Sequence, residues 1–363
     1  MPLVAEPKPH RDPRIDSAIA HWAPRFVANG VPLTDFQDVT AKLQRWDEWC
    51  SAWSTRAAIH EELGAHALAE GYRASAGGHF TRAAVCYHFG KFLFVNDPDQ
   101  MQVAHRKAVE CRNLALPLLT PPGTRVAIAY EGKFLYGNLR KPACATRPPV
   151  VVMCMGLDSA KEEMDDYEDR FLRRGVATFA FDGPGQGEGE YDFALCPEYE
   201  KPVKAVIDVL EARDDIDAAR LGIWGVSLGG YFAPRAAAFD KRIKACVALS
   251  GAYRRSGHFD GRPVLNVEAF RVRSKSADLV EAGKVAQRMS LAGVARNITC
   301  PIYLVAGTQD RLTPHTEAEK LAAEVSGPCL LSVIEGGNHV VNNLWYRYRD
   351  QSADWMATQL GAA

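Results

Sequence analysis

Residues 221–230 constrain the fold more than any other part of the chain. They predict a short apolar strand, a turn with the pattern Gly225-x-Ser227-x-Gly229, and a helix over about 228–238. A serine at the tip of such a turn needs strained backbone, and the flanking glycines let strand and helix approach closely. Free N–H groups at the start of the helix point to the same place. The stretch therefore predicts a nucleophilic Ser227, although the five-residue pattern also occurs in glycine-rich turns without chemistry.

From residue 125 onward, strand-like runs alternate with helical runs. The predicted helices here include 161–174, 201–212 and 317–325, and the run 149–155 is apolar throughout, as in a buried central strand. Alternation of this kind predicts an α/β fold with a doubly wound, mostly parallel sheet. Besides the strand before Ser227, the predicted strands are 126–130, 134–138, 149–155, 176–181, 245–250, 302–306 and 331–334.

The chain before residue 121 is predicted to be entirely helical after an extended, proline-rich arm of about a dozen residues. Thr34 and Asp35 are expected to cap a helix, Asp97-Pro98 to start another, and Gly77-Gly78 to break the pattern. A proline-rich stretch at 116–123 predicts two domains, a helical cap (1–121) and a catalytic domain (122–363) with a lid-like insertion around 251–299. The predicted helices are 15–28, 34–53, 56–76, 79–94 and 101–116.

Two loops supply the partners that a serine nucleophile requires. Asp310 follows the strand at 302–306, and His339 follows the last predicted strand. Because carboxyl ends of parallel strands meet at one edge of a sheet, both side chains are expected beside Ser227, in the chain order Ser, Asp, His. Glu335 is an alternative acid, but it lies within the end of its strand. The six histidines of the helical region are interpreted as solvated or core residues.

An oxyanion hole is the third component. One donor is expected from the backbone N–H of Leu228, directly after the serine. The other is assigned to Leu157, because Gly156 allows a sharp turn after the central strand. The alternative is that Gly156-Leu157 only connects a strand to a helix.

Composition excludes several classes of protein. Lys and Arg total 43 and Asp and Glu total 44, so a net charge of −1 offers no case for nucleic acid or an anionic membrane. The nine cysteines are scattered without a Cys-x-x-Cys pair, which favours a reduced, cytoplasmic protein without a zinc site. The N-terminus lacks the apolar core of a signal peptide, and no apolar run approaches a membrane span.

The glycine-rich segment 181–188 invites a nucleotide-binding interpretation. It does not match Gly-x-Gly-x-x-Gly, and Pro184 disturbs the helix start on which a phosphate would lie. A tight loop bordering the catalytic pocket is the favoured interpretation, and no cofactor is predicted.

Three motifs and the helical region together resemble a known group. The motifs are Gly156-Leu-Asp-Ser-Ala-Lys-Glu-Glu163, Asp182-Gly-Pro-Gly-Gln-Gly-Glu188 and Gly225-Val-Ser-Leu-Gly-Gly-Tyr231. The chain resembles an α/β-hydrolase, and more narrowly the group around 2,6-dihydroxypseudooxynicotine hydrolase, which includes fungal hydrolases that shorten polyketide chains. The resemblance covers nearly the whole chain. It implies cleavage of a carbon–carbon bond beside a ketone, no cofactor, and a homodimer whose helical domain roofs the site.

The substrate contacts are less specified. Asp158, Tyr253 and His258 are the candidate substrate-binding residues. Some members of the group use a further acid after the strand that follows the serine, for which Asp260 and Glu268 are candidates. Aromatic side chains are also expected to line the substrate pocket. Each candidate would fit at least as well as an ordinary residue of the hydrophobic core; the candidates are Tyr87, Phe89, Phe92, Phe94, Tyr253 and Phe259.

The leading hypothesis is a serine hydrolase acting on aromatic ketones or 1,3-diketones. A carboxylesterase or amidase with the same triad is the alternative. A non-catalytic ligand-binding relative is a third hypothesis, against which the complete triad argues.

Overall fold

The computed structural model describes residues 11–143, 145–255, 259 and 261–362, so most of the predicted N-terminal arm lies outside the described residues. Within the described residues, five α-helices precede the first strand. α5 begins where the sequence predicts, because the Asp97 carboxylate accepts a hydrogen bond from the N–H of Gln100 at 3.0 Å and Pro98 occupies the first turn. The five helices are α1 (Pro13–Ala28), α2 (Leu33–Lys42), α3 (Trp49–Ala69), α4 (Arg73–Lys91) and α5 (Pro98–Ala115).

The predicted helix 34–53 is in fact two helices. Residues 43–45 leave the helical path, and a carboxylate oxygen of Glu48 accepts hydrogen bonds from the N–H groups of Gln44 and Arg45, both at 3.1 Å. These bonds satisfy backbone donors at the break. The expected caps Thr34 and Asp35 are also wrong, since both lie inside α2.

The predicted break at Gly77-Gly78 is wrong as well. Both glycines lie inside α4, and the chain turns instead at Gly71, whose φ is +79°. A Cβ at Gly77 would lie 3.0 Å from the Cβ of Leu118. Gly77 therefore serves close packing of α4 on the following segment rather than a turn.

In the part of the chain that the structure describes, eight strands form one sheet in the order β1-β2-β4-β3-β5-β6-β7-β8. β1 pairs antiparallel with β2 and β2 with β4, whereas every pairing among β3 to β8 is parallel. The strands are β1 (Gly123–Tyr130), β2 (Lys133–Arg140), β3 (Pro149–Cys154), β4 (Ala177–Asp182), β5 (Asp217–Val226), β6 (Ile243–Leu249), β7 (Ile302–Gly307) and β8 (Cys329–Ile334). The mostly parallel sheet predicted from the sequence is confirmed.

Helices cover both faces of this sheet. Alternate residues of β3 enter different cores, since Val150 and Val152 pack with α8 and α9 while Val151 and Met153 pack with α6 and α13. The helices after β3 are α6 (Asp165–Leu172), α7 (Gly189–Asp192), α8 (Glu200–Glu211), α9 (Gly229–Phe239), α10 (Val264–Arg273), α11 (Leu279–Arg288), α12 (Thr316–Glu324) and α13 (Arg349–Gln359).

The core of helices α1–α5 is continuous with the core on the α8–α9 face of the sheet. The division into domains 1–121 and 122–363, and the lid-like role of 251–299, which contains α10 and α11, remain predictions. No described helix is long and apolar enough to cross a membrane.

Buried ion pairs join the helical region to the rest of the chain. Lys91 of α4 lies 2.9 Å from Glu190 of α7, and Arg273 of α10 lies 3.2 Å from the same carboxylate. Arg273 also donates to the carbonyl oxygens of Phe92 and Leu157, at 2.7 and 2.5 Å. This cluster ties the end of α4 to the loop that follows β3.

We expect this cluster to make stability depend on pH in the acid range. Burial favours a neutral Glu190, but Lys91 and Arg273 outweigh burial and lower its pKa from 4.5 to about 2. A carboxylate with a depressed folded-state pKa stabilises the protein above about pH 4.5, and about 3 kcal/mol is lost as the pH falls towards 2. Urea unfolding at pH 3 and pH 7 should show a smaller difference in Glu190→Gln than in the wild type, whereas Glu62→Gln, at an exposed position, should match the wild type. Equal pH dependence in all three proteins would contradict the assignment.

Candidate active site

β5 ends in a tight turn that holds Ser227 clear of the strand and of α9. Ser227 has a φ of +57°, a left-handed conformation that is uncommon for residues other than glycine. A Cβ at Gly225 would lie 1.9 Å from the carbonyl oxygen of Gly229, and a Cβ at Gly229 would lie 2.1 Å from that of Cys154. Close packing of strand and helix therefore requires both glycines.

The structure brings His339 and Asp310 to Ser227. His339 Nε2 lies 2.7 Å from Ser227 Oγ, and His339 Nδ1 lies 2.9 and 2.8 Å from the two Asp310 oxygens. Because a carboxylate only accepts hydrogen bonds, this contact places the proton on Nδ1 and leaves Nε2 to accept from the serine hydroxyl. The chain of contacts is the arrangement in which an imidazole can take the serine proton.

The Asp310 carboxylate is itself held in place. Its Oδ1 accepts hydrogen bonds from the N–H groups of Leu312 and Thr313, both at 2.9 Å. Burial favours the neutral acid, but His339 and these two N–H groups outweigh burial, so the pKa of Asp310 lies below its ordinary value. The group is therefore an anion at neutral pH, as a residue that orients a histidine must be. Glu335, the alternative acid, is exposed at the end of β8.

The turn after His339 is strained. Val340 and Val341 have φ values of +61° and +53°, which are unfavourable for β-branched residues. The N–H of Val340 donates to Ser250 Oγ at 3.0 Å, and that of Val341 donates to the carbonyl of Asn338 at 2.8 Å. These bonds maintain a conformation that directs the imidazole towards β5.

Two backbone donors are available beside the serine. Among the described residues, neither the N–H of Leu157 nor that of Leu228 donates to another part of the protein. A Cβ at Gly156 would lie 3.2 Å from the Cβ of Ser227, so the loop after β3 passes close to the serine. Unused donors on both sides of a nucleophile are suited to binding an oxyanion.

Gln186 holds the loop after β3 in place through hydrogen bonds to its backbone. Its amide nitrogen donates to the carbonyls of Met155 and Gly156, at 2.5 and 2.7 Å, and its oxygen accepts from the Tyr199 hydroxyl at 2.5 Å. The Gly156 carbonyl and the Leu157 N–H belong to one planar peptide, so fixing the first fixes the second. The glycine-rich loop that carries Gln186 thus supports the site from behind, and none of its residues lines the cavities at Ser227, which corrects the expectation that it borders the catalytic pocket.

Gln186→Leu should therefore lower kcat about tenfold to a hundredfold with little change in KM, because a misoriented donor weakens transition-state binding selectively. Tyr199→Phe removes only the bond that holds Gln186 and should have a smaller effect in the same direction. Steady-state kinetics on a chromogenic ester would measure both variants. A rise in KM with unchanged kcat would contradict a positioning role.

Two cavities meet at the serine, and Trp22, Asp158, Ser227 and His339 line both. The first is here called the Arg25 chamber, and the second is called the Arg262 chamber. The other residues of the Arg25 chamber include Arg25, Asn29, Glu163, Met164, Tyr167 and Asn342, and those of the Arg262 chamber include Leu157, Leu228, Arg255, Arg262, Asn266 and Leu312.

Arg25 of α1 reaches across to the catalytic part of the chain. Its guanidinium lies 2.6 Å from Glu163 and 2.7 Å from Asp158, and it donates to Ser159 Oγ at 3.1 Å. The Trp22 ring, one turn earlier, lies edge-on to His339 with 6.3 Å between ring centroids. Helix α1 therefore forms a wall of the site.

The structure places the predicted substrate-binding residues at different distances from the serine, and only one of those it describes lines the chambers. Asp158 lines both chambers, with one oxygen occupied by Arg25. Tyr253 lines neither chamber and donates its hydroxyl to Glu324, which corrects that expectation. His258, like Asp260, lies outside the described residues. Glu268 pairs with Arg271 on α10 and does not reach the serine.

The expected aromatic walls are mostly core. Phe89, Phe92 and Phe94 are fully buried among the helices, and the Tyr87 hydroxyl donates to Glu61. Phe259 packs on Phe270. Two aromatic residues do line the chambers, Trp22 in both and Tyr167 in the Arg25 chamber, and neither is among the residues predicted from the sequence.

A sequence signal for α1 was nevertheless available. Its buried residues Ile15, Ala18, Trp22, Arg25 and Phe26 follow helical spacing, and an arginine on an otherwise apolar stripe indicates a buried partner. No comparable sequence pattern marks the residues of the 251–299 segment that line the Arg262 chamber, namely Arg255, Arg262 and Asn266. Their positions depend on how this segment folds over the sheet.

Two groups of potential metal ligands occur among the described residues, and neither lines the two chambers. His105, Glu162 and Asp182 form one group, but the Lys161 ammonium already lies 2.6 Å from Glu162 and 2.7 Å from Asp182. The other group is Asp35, His60 and Cys86, in which Asp35 is engaged by His60 at 2.6 Å and by Arg56 at 3.1 Å. Internal cationic side chains thus already engage the three carboxylates of the two groups.

Known proteins share this architecture. A 2,6-dihydropseudooxynicotine hydrolase from Paenarthrobacter nicotinovorans is 31% identical over 345 residues, which cover 94% of this chain and 92% of that protein. The crystal structure of the 2,6-dihydroxy-pseudo-oxynicotine hydrolase superposes with a TM-score of 0.86, covering 94% of this chain and 96% of the other at 31% identity.

A fungal relative matches over a shorter length. The 20-hydroxy-prefusarin hydrolase of Gibberella moniliformis is 35% identical over 220 residues, 56% of this chain and 52% of that protein. The chain thus matches about half the length of this relative.

The family described as "Esterase FrsA-like" matches residues 35–360, which include all eight strands as well as Ser227, Asp310 and His339. The resemblance inferred from the motifs is therefore confirmed. The chain is a hydrolase of the α/β-hydrolase fold and belongs to the FrsA-like esterase family.

Proposed function

We propose that this chain is a serine hydrolase that cleaves a carbon–carbon bond beside a ketone in an aromatic ketone or 1,3-diketone. Ser227 is the nucleophile, His339 the general base and acid, and Asp310 the residue that orients the histidine. The contact of 2.7 Å between Ser227 Oγ and His339 Nε2, continued to Asp310, is the observation that carries the proposal. The choice of bond is supported by the motifs of the group and by similarity over nearly the whole chain to a hydrolase named for 2,6-dihydropseudooxynicotine.

In the first half-reaction, His339 takes the Ser227 proton as the oxygen attacks the substrate ketone. The oxygen of the tetrahedral intermediate accepts hydrogen bonds from the N–H groups of Leu157 and Leu228. Its collapse breaks the carbon–carbon bond, and the electron pair leaves on carbon. His339 returns its proton to that carbon, which yields a neutral ketone or arene and an acyl-serine.

A carbon leaving group is strongly basic, so it departs only when a neighbouring carbonyl or a hydroxylated ring delocalises the charge. The substrate is accordingly a 1,3-dicarbonyl compound or an acylated, hydroxylated aromatic ring. In the second half-reaction, His339 activates water, which attacks the acyl-serine and releases a carboxylic acid and free Ser227. No cofactor takes part in these steps.

A carboxylesterase or amidase is the second candidate, favoured by the esterase description of the family. The two functions share every step except the leaving group. Purified enzyme should be assayed with aryl esters and with a panel of 1,3-diketones and acylated phenols. Rapid ester hydrolysis with inert diketones would overturn the first proposal and support the second.

Covalent labelling tests whether the chain is catalytic at all. A fluorophosphonate probe should label the wild type and fail to label Ser227→Ala, because the probe reacts with an activated serine. Absence of labelling in the wild type would instead support a ligand-binding relative of these enzymes. The homodimer and the cytoplasmic location remain predictions.

A further inference from the structure

The Arg262 chamber contains two arginines for which the described part of the chain offers no acidic partner. Neither Arg255 nor Arg262 forms an ion pair with a described carboxylate. The negative charges of Asp310 and Glu317 attract Arg262 only from beyond ion-pair distance. Fully buried arginines elsewhere in the structure each contact a carboxylate; the pairs are Arg25–Glu163, Arg112–Glu168, Arg140–Asp169, Arg273–Glu190 and Arg349–Asp166. Arg255 and Arg262 differ from these arginines in two ways, since both are only half-buried and neither is paired with a described carboxylate.

Of the two arginines, Arg255 has the charged form that its surroundings destabilise more. Its guanidinium lies over the ring of Phe270, 4.4 Å from the centroid, and its buried Nε has no hydrogen-bond acceptor. Burial and then the charge of Arg262 lower the pKa of Arg255 from 12.5 to about 9. An anion bound beside this group would remove the penalty.

Two further polar groups line the same wall. Arg262 uses one nitrogen to donate to the Leu312 carbonyl at 3.2 Å, which leaves its other donors available. Asn266 on α10 is buried, and among the described residues its side-chain amide has no hydrogen-bond partner. Unpaired donors on three side chains make this wall a site for an acceptor of negative charge.

The wall adjoins the reacting centre. Arg255, Arg262 and Asn266 line the same cavity as Ser227, His339 and the two proposed oxyanion donors, Leu157 and Leu228. A substrate whose carbonyl carbon lies at Ser227 Oγ would therefore extend one of its arms to the arginines. The other arm would enter the Arg25 chamber, where Arg25 is already neutralised by Glu163 and Asp158.

We propose that the Arg262 chamber binds an oxyanionic group of the substrate, a carboxylate or an ionised enol or phenol, through Arg255, Arg262 and Asn266. This inference rests on the proposed function for the position of the scissile carbonyl and narrows the substrate class to acidic ketones or acidic esters. Neutral substrates of the same shape leave two positive charges without a counter-charge and are bound less well.

A matched pair of esters tests the selectivity. 4-Nitrophenyl hydrogen glutarate ends in a carboxylate where 4-nitrophenyl pentanoate ends in a methyl group, and the two acyl chains have the same length. The wild type should prefer the glutarate ester about tenfold or more in kcat/KM, as charge-assisted hydrogen bonds imply. Arg262→Gln and Arg255→Gln should each reduce that preference about tenfold. Arg254→Gln, which removes the same charge at an exposed neighbouring position, should retain it.

Binding to the Ser227→Ala variant separates this proposal from the proposed function. Benzoate should bind more tightly than benzamide by isothermal titration calorimetry, and adding Arg262→Gln should abolish the difference. 4-Nitrophenol titrated through its ionisation reports whether a phenolate is accepted as well as a carboxylate. If neither esters nor 1,3-diketones and acylated phenols are cleaved but benzoate binding depends on Arg262, the proposed function fails and the anion site stands. Equal binding of benzoate and benzamide, or an equal effect of Arg254→Gln and Arg262→Gln, would overturn the anion site.

Discussion

His339→Ala is expected to lower kcat/KM at least a thousandfold on any ester or ketone that the wild type cleaves. The reason is geometric, since the imidazole lies 2.7 Å from Ser227 Oγ and the serine has no other base within contact among the described residues. Without it the hydroxyl stays protonated and the leaving group receives no proton. The residual rate would come from the backbone donors of Leu157 and Leu228 and from substrate binding.

Two further variants make the result specific. His339→Gln retains an amide beside Asp310 but no base, so it should lose activity to a similar extent while its thermal unfolding stays closer to that of the wild type. His66→Gln, at an exposed position on α3, should keep full activity. Activity within tenfold of the wild type in folded His339→Ala would contradict the role proposed for this residue.

The juxtaposition of Ser227, Asp310 and His339 could be predicted because each follows the carboxyl end of a parallel strand. In this architecture the strand ends share one edge of the sheet, so local signals in β5, β7 and β8 are enough to place side chains that are far apart in sequence. Gly225 and Gly229 also act locally, through the contact between one strand and the next helix.

The walls of the site could not be predicted in the same way. Trp22 lies beside His339 only because helix α1 packs against the segment that begins at His339, more than three hundred residues later in the sequence. Arg255 and Arg262 depend on the path of a segment with weak periodicity. Gln186 lies in a motif that the sequence shows clearly, but its role follows from the carbonyls of Met155 and Gly156, which become visible only when two loops are placed together.

Arg25→Gln should destabilise the protein by about 3–5 kcal/mol, because it leaves two buried carboxylates without their cation. Glu163 and Asp158 are both nearly inaccessible to solvent, at 1% and 6% exposed. Burial alone would favour a neutral Glu163, yet Arg25, with His88, holds the pKa of that carboxyl well below its usual range. The interaction joins α1 to the loop after β3, so its loss should also loosen the wall that carries Trp22.

The pH dependence of this defect has a definite sign. In the wild type, the depressed pKa means that ionised Glu163 stabilises the fold above its ordinary value of 4.5. In Arg25→Gln the buried carboxyl loses its main partner, so its pKa rises and the ionised form becomes destabilising at neutral pH. The difference in unfolding free energy between the two proteins should therefore be largest near pH 7. It should begin to shrink as the pH falls through the raised pKa of Glu163 in the variant, which lies above 4.5, and continue to shrink at lower pH.

A double-mutant cycle identifies the source of the loss. Glu163→Gln added to Arg25→Gln removes the uncompensated charge, so urea unfolding at pH 7 should show the double variant to be more stable than Arg25→Gln alone. Arg45→Gln removes an arginine whose side chain is 68% exposed and should change stability by less than about 0.5 kcal/mol. If the two single effects simply add, the pair is not coupled, and α1 must be held by its apolar contacts instead. A non-additive cycle would show that Arg25 and Glu163 are energetically coupled across the contact between α1 and the loop after β3.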